Sequence, residues 1–262
     1  MLHQNRINQL FSEKKEKILS VYFTAGYPHL NDTRTVLKSL QDSGVDFVEI
    51  GIPFSDPVAD GPVIQHSSEV ALSNGMSMKL LFEQLDGVRN EINIPLVLMG
   101  YVNPVLQFGV EQFCQKCQAL GIDAVILPDL PILEYQTHFK DIFEKYGLSF
   151  VFLITPQSSE KRIKEIDEIS NSFIYLVSSA GTTGVKTGIS DAQVEYFSRI
   201  KSYQLKNPTM VGFGISDKFS FDKACEYAKG CIIGSAFIKA LGNDSPLGLE
   251  EKIKGFVGSV RA

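Results

Sequence analysis

The sequence predicts an α/β protein, a single (β/α)8 TIM barrel over residues 1–262 with an extra N-terminal helix. Three observations carry this. Eight short apolar, β-rich runs recur along the chain, separated by longer segments, most of helical period. Apolarity within each run is nearly continuous, as in parallel strands covered on both faces. A length of 262 residues suits eight such units. A doubly wound open sheet is the alternative, because periodicity does not reveal closure.

The elements follow in order. Gln4–Lys17 is an amphipathic helix placed across the barrel bottom, its Glu13–Lys17 charge run a solvated face. Ile18–Thr24 is the first strand and Asp32–Asp42 its helix. Asp46–Ile50 is the second, followed by a long loop and a helix with Pro62 in its first turn, where proline costs no hydrogen bond. Leu96–Tyr101 follows the helix Met78–Asn90, and Ala124–Leu127 follows a helical segment over Val110–Leu120. Ser149–Ile154 follows Ile132–Tyr146, Phe173–Val177 follows Glu160–Ile169, and Met210–Phe213 follows Ala192–Ser202. Cys231–Ile233 is the last strand, with a short helix starting at Ser235. No linker-like or low-complexity segment marks a boundary, so one domain is expected.

Composition narrows the function. A net charge of −5 argues against nucleic acid or an anionic membrane surface as the main partner. A phosphorylated substrate remains compatible, since backbone amides bind phosphate without net positive charge. The polar N-terminus lacks a signal sequence and no apolar stretch approaches a membrane span, so a cytoplasmic location is expected. Four cysteines in a chain this long are not a disulfide framework. Cys114 and Cys117 share one helical segment with no second ligand pair, and read as partly buried thiols. Cys225 and Cys231 lie far along the chain. The four histidines (His3, His29, His66, His138) show no metal-ligand spacing and read as surface residues.

In such a barrel the chemistry sits where strands end and βα loops begin. Glu49 is the strongest anomaly there, an acid within the apolar run Val45–Ile50. Alternation places it on the face of Phe47, opposite Val48 and Ile50. Burial there would raise its pKa, which suits a group that both gives and takes a proton. The competing reading is an ion pair with a neighbouring strand, but the first five runs contain no Lys or Arg. Asp60 and Asp56, on the loop after the same strand, read by residue type alone as turn or helix caps. Glycines recur after strands six, seven and eight, in Gly181-Thr182-Thr183-Gly184, Gly212-Phe213-Gly214 and Gly234-Ser235. They let backbone amides approach a phosphate, with the helix at Ser235 aimed at the anion. No dinucleotide fingerprint, nucleophile elbow or strand-end lysine is found. Lys186, on a loop, is a poor Schiff-base candidate.

The segment Val48–Gln65 closely resembles the signature of the tryptophan synthase α chain. So do Phe23–Pro28, Tyr101–Pro104, Ala180–Gly184, Gly212–Ser216 and Gly234–Ala236, which together span the chain. The resemblance implies retro-aldol cleavage of indole-3-glycerol phosphate to indole and glyceraldehyde 3-phosphate, with Glu49 as general acid/base and Asp60 as the second catalytic carboxylate. It implies phosphate binding by Gly184, Gly214, Gly234 and Ser235, and substrate contacts at Thr183 and Phe213. It implies an indole slot formed by Tyr22, Met99, Leu127 and Tyr175. Tyr22 replaces a phenylalanine of well-known members, and Asp129 stands where a small residue is common. No cofactor is implied on this chain. Pyridoxal phosphate belongs to a partner β chain, reached through an indole tunnel in an allosteric αββα heterotetramer. The loops Pro53–Asp60 and Ser179–Ser190 would close over substrate and signal to that partner. The alternatives are a stand-alone lyase that releases free indole, the phosphate-binding barrel that synthesises indole-glycerol phosphate, and a non-catalytic allosteric subunit. The synthase would want a catalytic strand-end lysine, and retention of Glu49 and Asp60 opposes the non-catalytic subunit.

Overall fold

The computed structural model describes residues 5–177, 190–212, 214–242 and 245–261. Nine strand segments are present among them: β1 (Ile18–Thr24), β2 (Phe47–Gly51), β3 (Leu96–Met99), β4 (Ala124–Ile126), β5 (Ser149–Phe150), β6 (Leu153–Ile154), β7 (Ile174–Val177), β8 (Thr209–Gly212) and β9 (Gly230–Ile233). They form one sheet in the order β5-β4-β3-β2-β1-β9-β8-β7-β6, every pairing parallel.

The two ends of that order, β5 and β6, are the two halves of the predicted run Ser149–Ile154. Between them the Val151 amide donates to the Val125 carbonyl of β4 (3.0 Å), and the Phe152 carbonyl accepts from the Tyr175 amide of β7 (2.9 Å). One stave is therefore bonded on both sides, which closes the sheet and excludes the open alternative. Helices cover the outer face, so strand residues are buried on both sides; all seven residues of β1 are buried.

The N-terminal helix is Arg6–Glu13, shorter at both ends than Gln4–Lys17. Asn5 caps it by accepting the Asn8 amide, and its amide nitrogen donates to the Asp123 carbonyl and to Ser149 Oγ. Ile7 is fully buried, and the Phe11 ring lies 6.4 Å from Phe47 and 5.6 Å from Phe173. Phe47 and Phe173 stand at or just before the starts of β2 and β7, so this helix plugs the bottom as expected. Past its end the charge run is not purely a solvated face: Lys14 pairs with Asp46 (2.7 Å) and Lys17 with Asp222 (2.9 Å).

Other boundaries shift for local reasons. The predicted helix Met78–Asn90 ends at Gln84 and resumes as a single turn, Val88–Asn90, after Gly87 adopts a left-handed φ of 68°. Ile132–Lys145 is continuous but contains a π-helical stretch, Tyr135–Phe139. Cys114 and Cys117 are wholly rather than partly buried on the helix Val110–Leu120, and burial pushes both thiols up, Cys114 to about 12. Cys225 and Cys231, apart in the reading of the sequence, meet with sulfurs 4.0 Å apart. His29, His66 and His138 are exposed as expected, while His3 lies outside the described residues. Among the described residues no cluster of His, Cys, Asp or Glu is able to hold a metal ion.

Candidate active site

Inner and outer faces alternate along β2, so Phe47, Glu49 and Gly51 point into the barrel. Phe47 belongs to the aromatic floor, which leaves Glu49 one step above it. Register sets Glu49 level with Tyr22 of β1 and Val97 of β3. Above lies a cavity of about 460 Å³. Its walls are Tyr22, Glu49, Met99, Tyr175 and Ile232 from the strands, Asp60 and Ile64 from the connection after β2, Gly214–Ser216 after β8 and Gly234–Ala236 after β9, with Lys239 and Phe256 completing it. Most of the lining lies within the strands or just past their carboxyl ends, where barrels place their sites.

Glu49 is fully buried, and neither carboxyl oxygen has a hydrogen-bond partner. An unpartnered charge in such surroundings is costly, so burial pushes its pKa up to about 8. At neutral pH the side chain therefore keeps its proton. Among the described residues Glu49 forms no ion pair, and none of them supports the competing reading of this residue.

Asp60 is treated differently by its surroundings. The Tyr101 hydroxyl donates to its Oδ2 (2.9 Å) and accepts from the Ala59 amide (3.0 Å), while the Tyr101 ring lies 5.2 Å from that of Phe54. Burial raises the Asp60 pKa to about 6, and the phenol's hydrogen bond, which favours the carboxylate, opposes that rise. The capping expectation fails here. Gly61, not Asp60, is the N-cap of the helix Pro62–Ser73, which has no side-chain cap. Asp56 is no helix cap either; its carboxylate accepts the Ser55 hydroxyl.

Tyr22 and Tyr175 flank this acidic pair. Burial raises both phenols, and the charges of Asp60 and Glu49 add to the effect. Their hydroxyls pack directly over Gly51 and Gly212, where any Cβ would collide with the ring. These two positions are glycine because aromatic side chains from neighbouring strands occupy the space. Across the cavity Gly214 has a left-handed φ of 79°, and Gly234 precedes the helix Ser235–Leu241, whose first turn has no side-chain cap. Its first-turn amides therefore have no side-chain acceptor.

Of the predicted site residues, Glu49, Asp60, Tyr22, Met99, Tyr175, Gly214, Gly234 and Ser235 meet around this cavity. Leu127 does not: it is buried just past β4 and is not among the lining residues. Thr183, Gly184 and Phe213, together with Lys186 and nearly all of the loop Ser179–Ser190, lie outside the described residues. Tyr101, Ile64, Ile232 and Lys239 were missed as site residues. Only Tyr101 left a signal, a hydroxyl at the carboxyl end of a strand run.

The tryptophan synthase alpha chain family model matches residues 8–257. A tryptophan synthase alpha chain of Flavobacterium psychrophilum is 60% identical over 237 residues, 90% of this chain and 93% of its own length. That of Flavobacterium johnsoniae is 57% identical over 257 residues, covering 98% of this chain and all of its own. Among solved structures, tryptophan synthase subunit alpha from Legionella pneumophila superposes with a TM-score of 0.88 at 34% identity, over 98% of this chain and 97% of that one. A tryptophan synthase structure from M. tuberculosis, in its aminoacrylate-bound form, gives 0.84 at 28% identity over 98% of each chain. With matches of this extent and a closed barrel holding two carboxyls at its mouth, the chain belongs to the tryptophan synthase alpha chain family, the indole-3-glycerol-phosphate lyases.

Proposed function

We propose that Glu49 and Asp60 divide the retro-aldol cleavage of indole-3-glycerol phosphate between them. Glu49 begins protonated and delivers its proton to indole C3, leaving a carboxylate and placing positive charge on the ring system. Asp60, ionised, accepts a hydrogen bond from the ring N–H and stabilises that charge as it develops. The Glu49 carboxylate then takes the proton of the glycerol hydroxyl on the carbon attached to C3. That C–O becomes the aldehyde carbonyl, the C–C bond breaks, and its electrons return to the ring as indole. Glu49 ends protonated, ready for the next turnover. Tyr22, Met99 and Tyr175 bound the indole, and the amides at Gly214, Gly234 and Ser235 hold the phosphate. Thr183, Gly184 and Phe213, outside the described residues, are assigned to substrate binding by the family resemblance alone.

The observation that carries this reading is the state of Glu49, fully buried, unpartnered and facing a cavity shared with a second carboxyl of lower pKa. The family binds no cofactor on this chain, pyridoxal phosphate being held by the β chain. Assembly with a β chain as an αββα heterotetramer, to which indole passes for L-tryptophan synthesis, is the partner arrangement consistent with this membership. We further read residues 1–262 as one domain and the chain as cytoplasmic; no described helix is long and apolar enough to cross a membrane.

Indole release from indole-3-glycerol phosphate, measured with and without a β chain, tests the assignment. Glu49→Gln should abolish turnover and Asp60→Asn should cut it by at least about a hundredfold, as expected when transition-state charge loses its partner. Turnover by Glu49→Gln at the parent rate would overturn it. High turnover by the isolated chain would instead favour a stand-alone lyase.

A further inference from the structure

Asp129 lies on the loop after β4, exposed at the rim of the barrel mouth. Its carboxylate accepts the Val102 amide through both oxygens, at 3.0 and 3.2 Å. Val102 is the first residue of the helix Val102–Phe108. The residue before it, Tyr101, is extended (φ −121°, ψ 154°) and supplies no side-chain cap. Asp129 is therefore the cap of this helix, supplied by a neighbouring loop, and its charge is favourably placed against the helix dipole.

The residue joined to that fixed amide, Tyr101, carries the phenol that donates to Asp60. From Asp129 through the Val102 amide to Tyr101, and from the Tyr101 hydroxyl to Asp60 Oδ2, the loops after β4, β3 and β2 are tied in series. We propose that Asp129 is a positioning residue for Asp60, acting through the helix start that fixes Tyr101. The proposal rests on the reading of Asp60 as the acceptor of the indole N–H. The mechanical reason is leverage: the hydroxyl is at the far end of the tyrosine ring, so a small rotation of the backbone at 101 is magnified there. Asp60 shares its cavity with Glu49, Tyr22 and Tyr175. Among the described side chains, Tyr101 is the one hydrogen-bonded to its carboxylate. Loosening that bond removes what favours the ionised form of Asp60 without altering the surroundings of Glu49.

Indole formation by the full chain, with a β chain supplied, is measured across pH for Asp129→Ala, Asp129→Asn, Tyr101→Phe, the Ala/Phe double variant and Asp60→Asn. Asp129 is exposed, and melting temperatures check that each variant folds. Asp129→Ala should lower kcat by about fivefold, the loss expected on removing a helix cap that sets geometry. Its acid limb of kcat/KM should move to higher pH while the alkaline limb stays. Asp129→Asn keeps an acceptor oxygen and should restore most of both. In the Tyr101→Phe background Asp129→Ala should add nothing. Parent kcat and acid limb in Asp129→Ala would overturn the proposal, as would a full further loss in the Tyr101→Phe background. If Asp60→Asn is slow while Asp129→Ala is not, the proposal alone fails. If Asp60→Asn turns over like the parent, the reading of Asp60 fails and the proposal falls with it.

Discussion

Glu49→Gln should make the protein more resistant to unfolding, and increasingly so as pH rises. Burial moves this carboxyl from an ordinary value of 4.5 to about 8. Between those values the folded chain holds a proton that the unfolded chain has released, so folding takes up a proton and stability falls as pH rises through the window. Each pH unit inside it costs about 1.4 kcal/mol. From pH 5 to pH 8 the parent should therefore lose about 3 kcal/mol at this site, a readable part of a typical total of 5–15 kcal/mol. Glutamine does not titrate, so the variant escapes this loss, while Asp60 titrates in both proteins and cancels in the difference. Urea unfolding of the two proteins at pH 5, 6, 7 and 8 measures the gap. It should widen in favour of the variant by about 3 kcal/mol, within a factor of two. Parallel stability curves, differing by a constant across that range, would show that Glu49 is not held protonated and would remove the basis for its role as acid.

The same two values predict the pH dependence of turnover: kcat/KM should rise as Asp60 ionises near pH 6 and fall as Glu49 loses its proton near pH 8. A flat profile between pH 5 and 9 would refute the pairing. Tyr101→Phe removes the hydrogen bond that favours ionised Asp60, so kcat should fall about tenfold and the acid limb should move up; stopped or steady-state indole assays check both. Gly51→Ala forces a Cβ against the Tyr22 hydroxyl and should cost about 2 kcal/mol in urea unfolding and raise KM. Adding Tyr22→Leu should recover most of the stability, and failure to recover it would place the strain elsewhere.

The barrel was legible because its staves are apolar almost throughout and separated by helical segments, a pattern that burial on both faces demands. Closure was not, because it depends on Val151 and Phe152 bonding to opposite neighbours within one run, and periodicity carries no trace of partner choice. Glu49 was legible for the reason that raises its pKa: an acid among apolar strand residues is conspicuous. Asp60 was not, since an aspartate before Gly-Pro on a loop has an ordinary capping use; only the family signature distinguished it, and the hydroxyl that its carboxylate accepts lies 41 residues away. Leu127 was misplaced because β4 is three residues long and apolar throughout, which leaves the inward parity of the next residue undetermined. The use of Asp129 left no trace in the sequence, because it depends on a contact to the amide of residue 102, beyond the reach of local sequence.

Two carboxyls borne by one strand and its loop are thus given different proton affinities by their surroundings alone, as the proposed division of labour requires. Glu49 has apolar walls and no partner, so it keeps a proton it has to give. Asp60 has a phenol directed at it, so it reaches neutrality as an anion. Neither condition suits stability: the first forfeits solvation of a charge, and the second half-buries one. The barrel tolerates both because its stabilising core lies elsewhere, in the aromatic floor beneath Glu49, where Phe11, Phe47 and Phe173 pack together, and in the shell where helices meet strands. Separation of floor from mouth explains why a substitution that should abolish turnover, Glu49→Gln, should also strengthen the fold. On the proposed mechanism, the proton that Glu49 retains at neutral pH is the form in which the cost of its burial becomes useful chemistry.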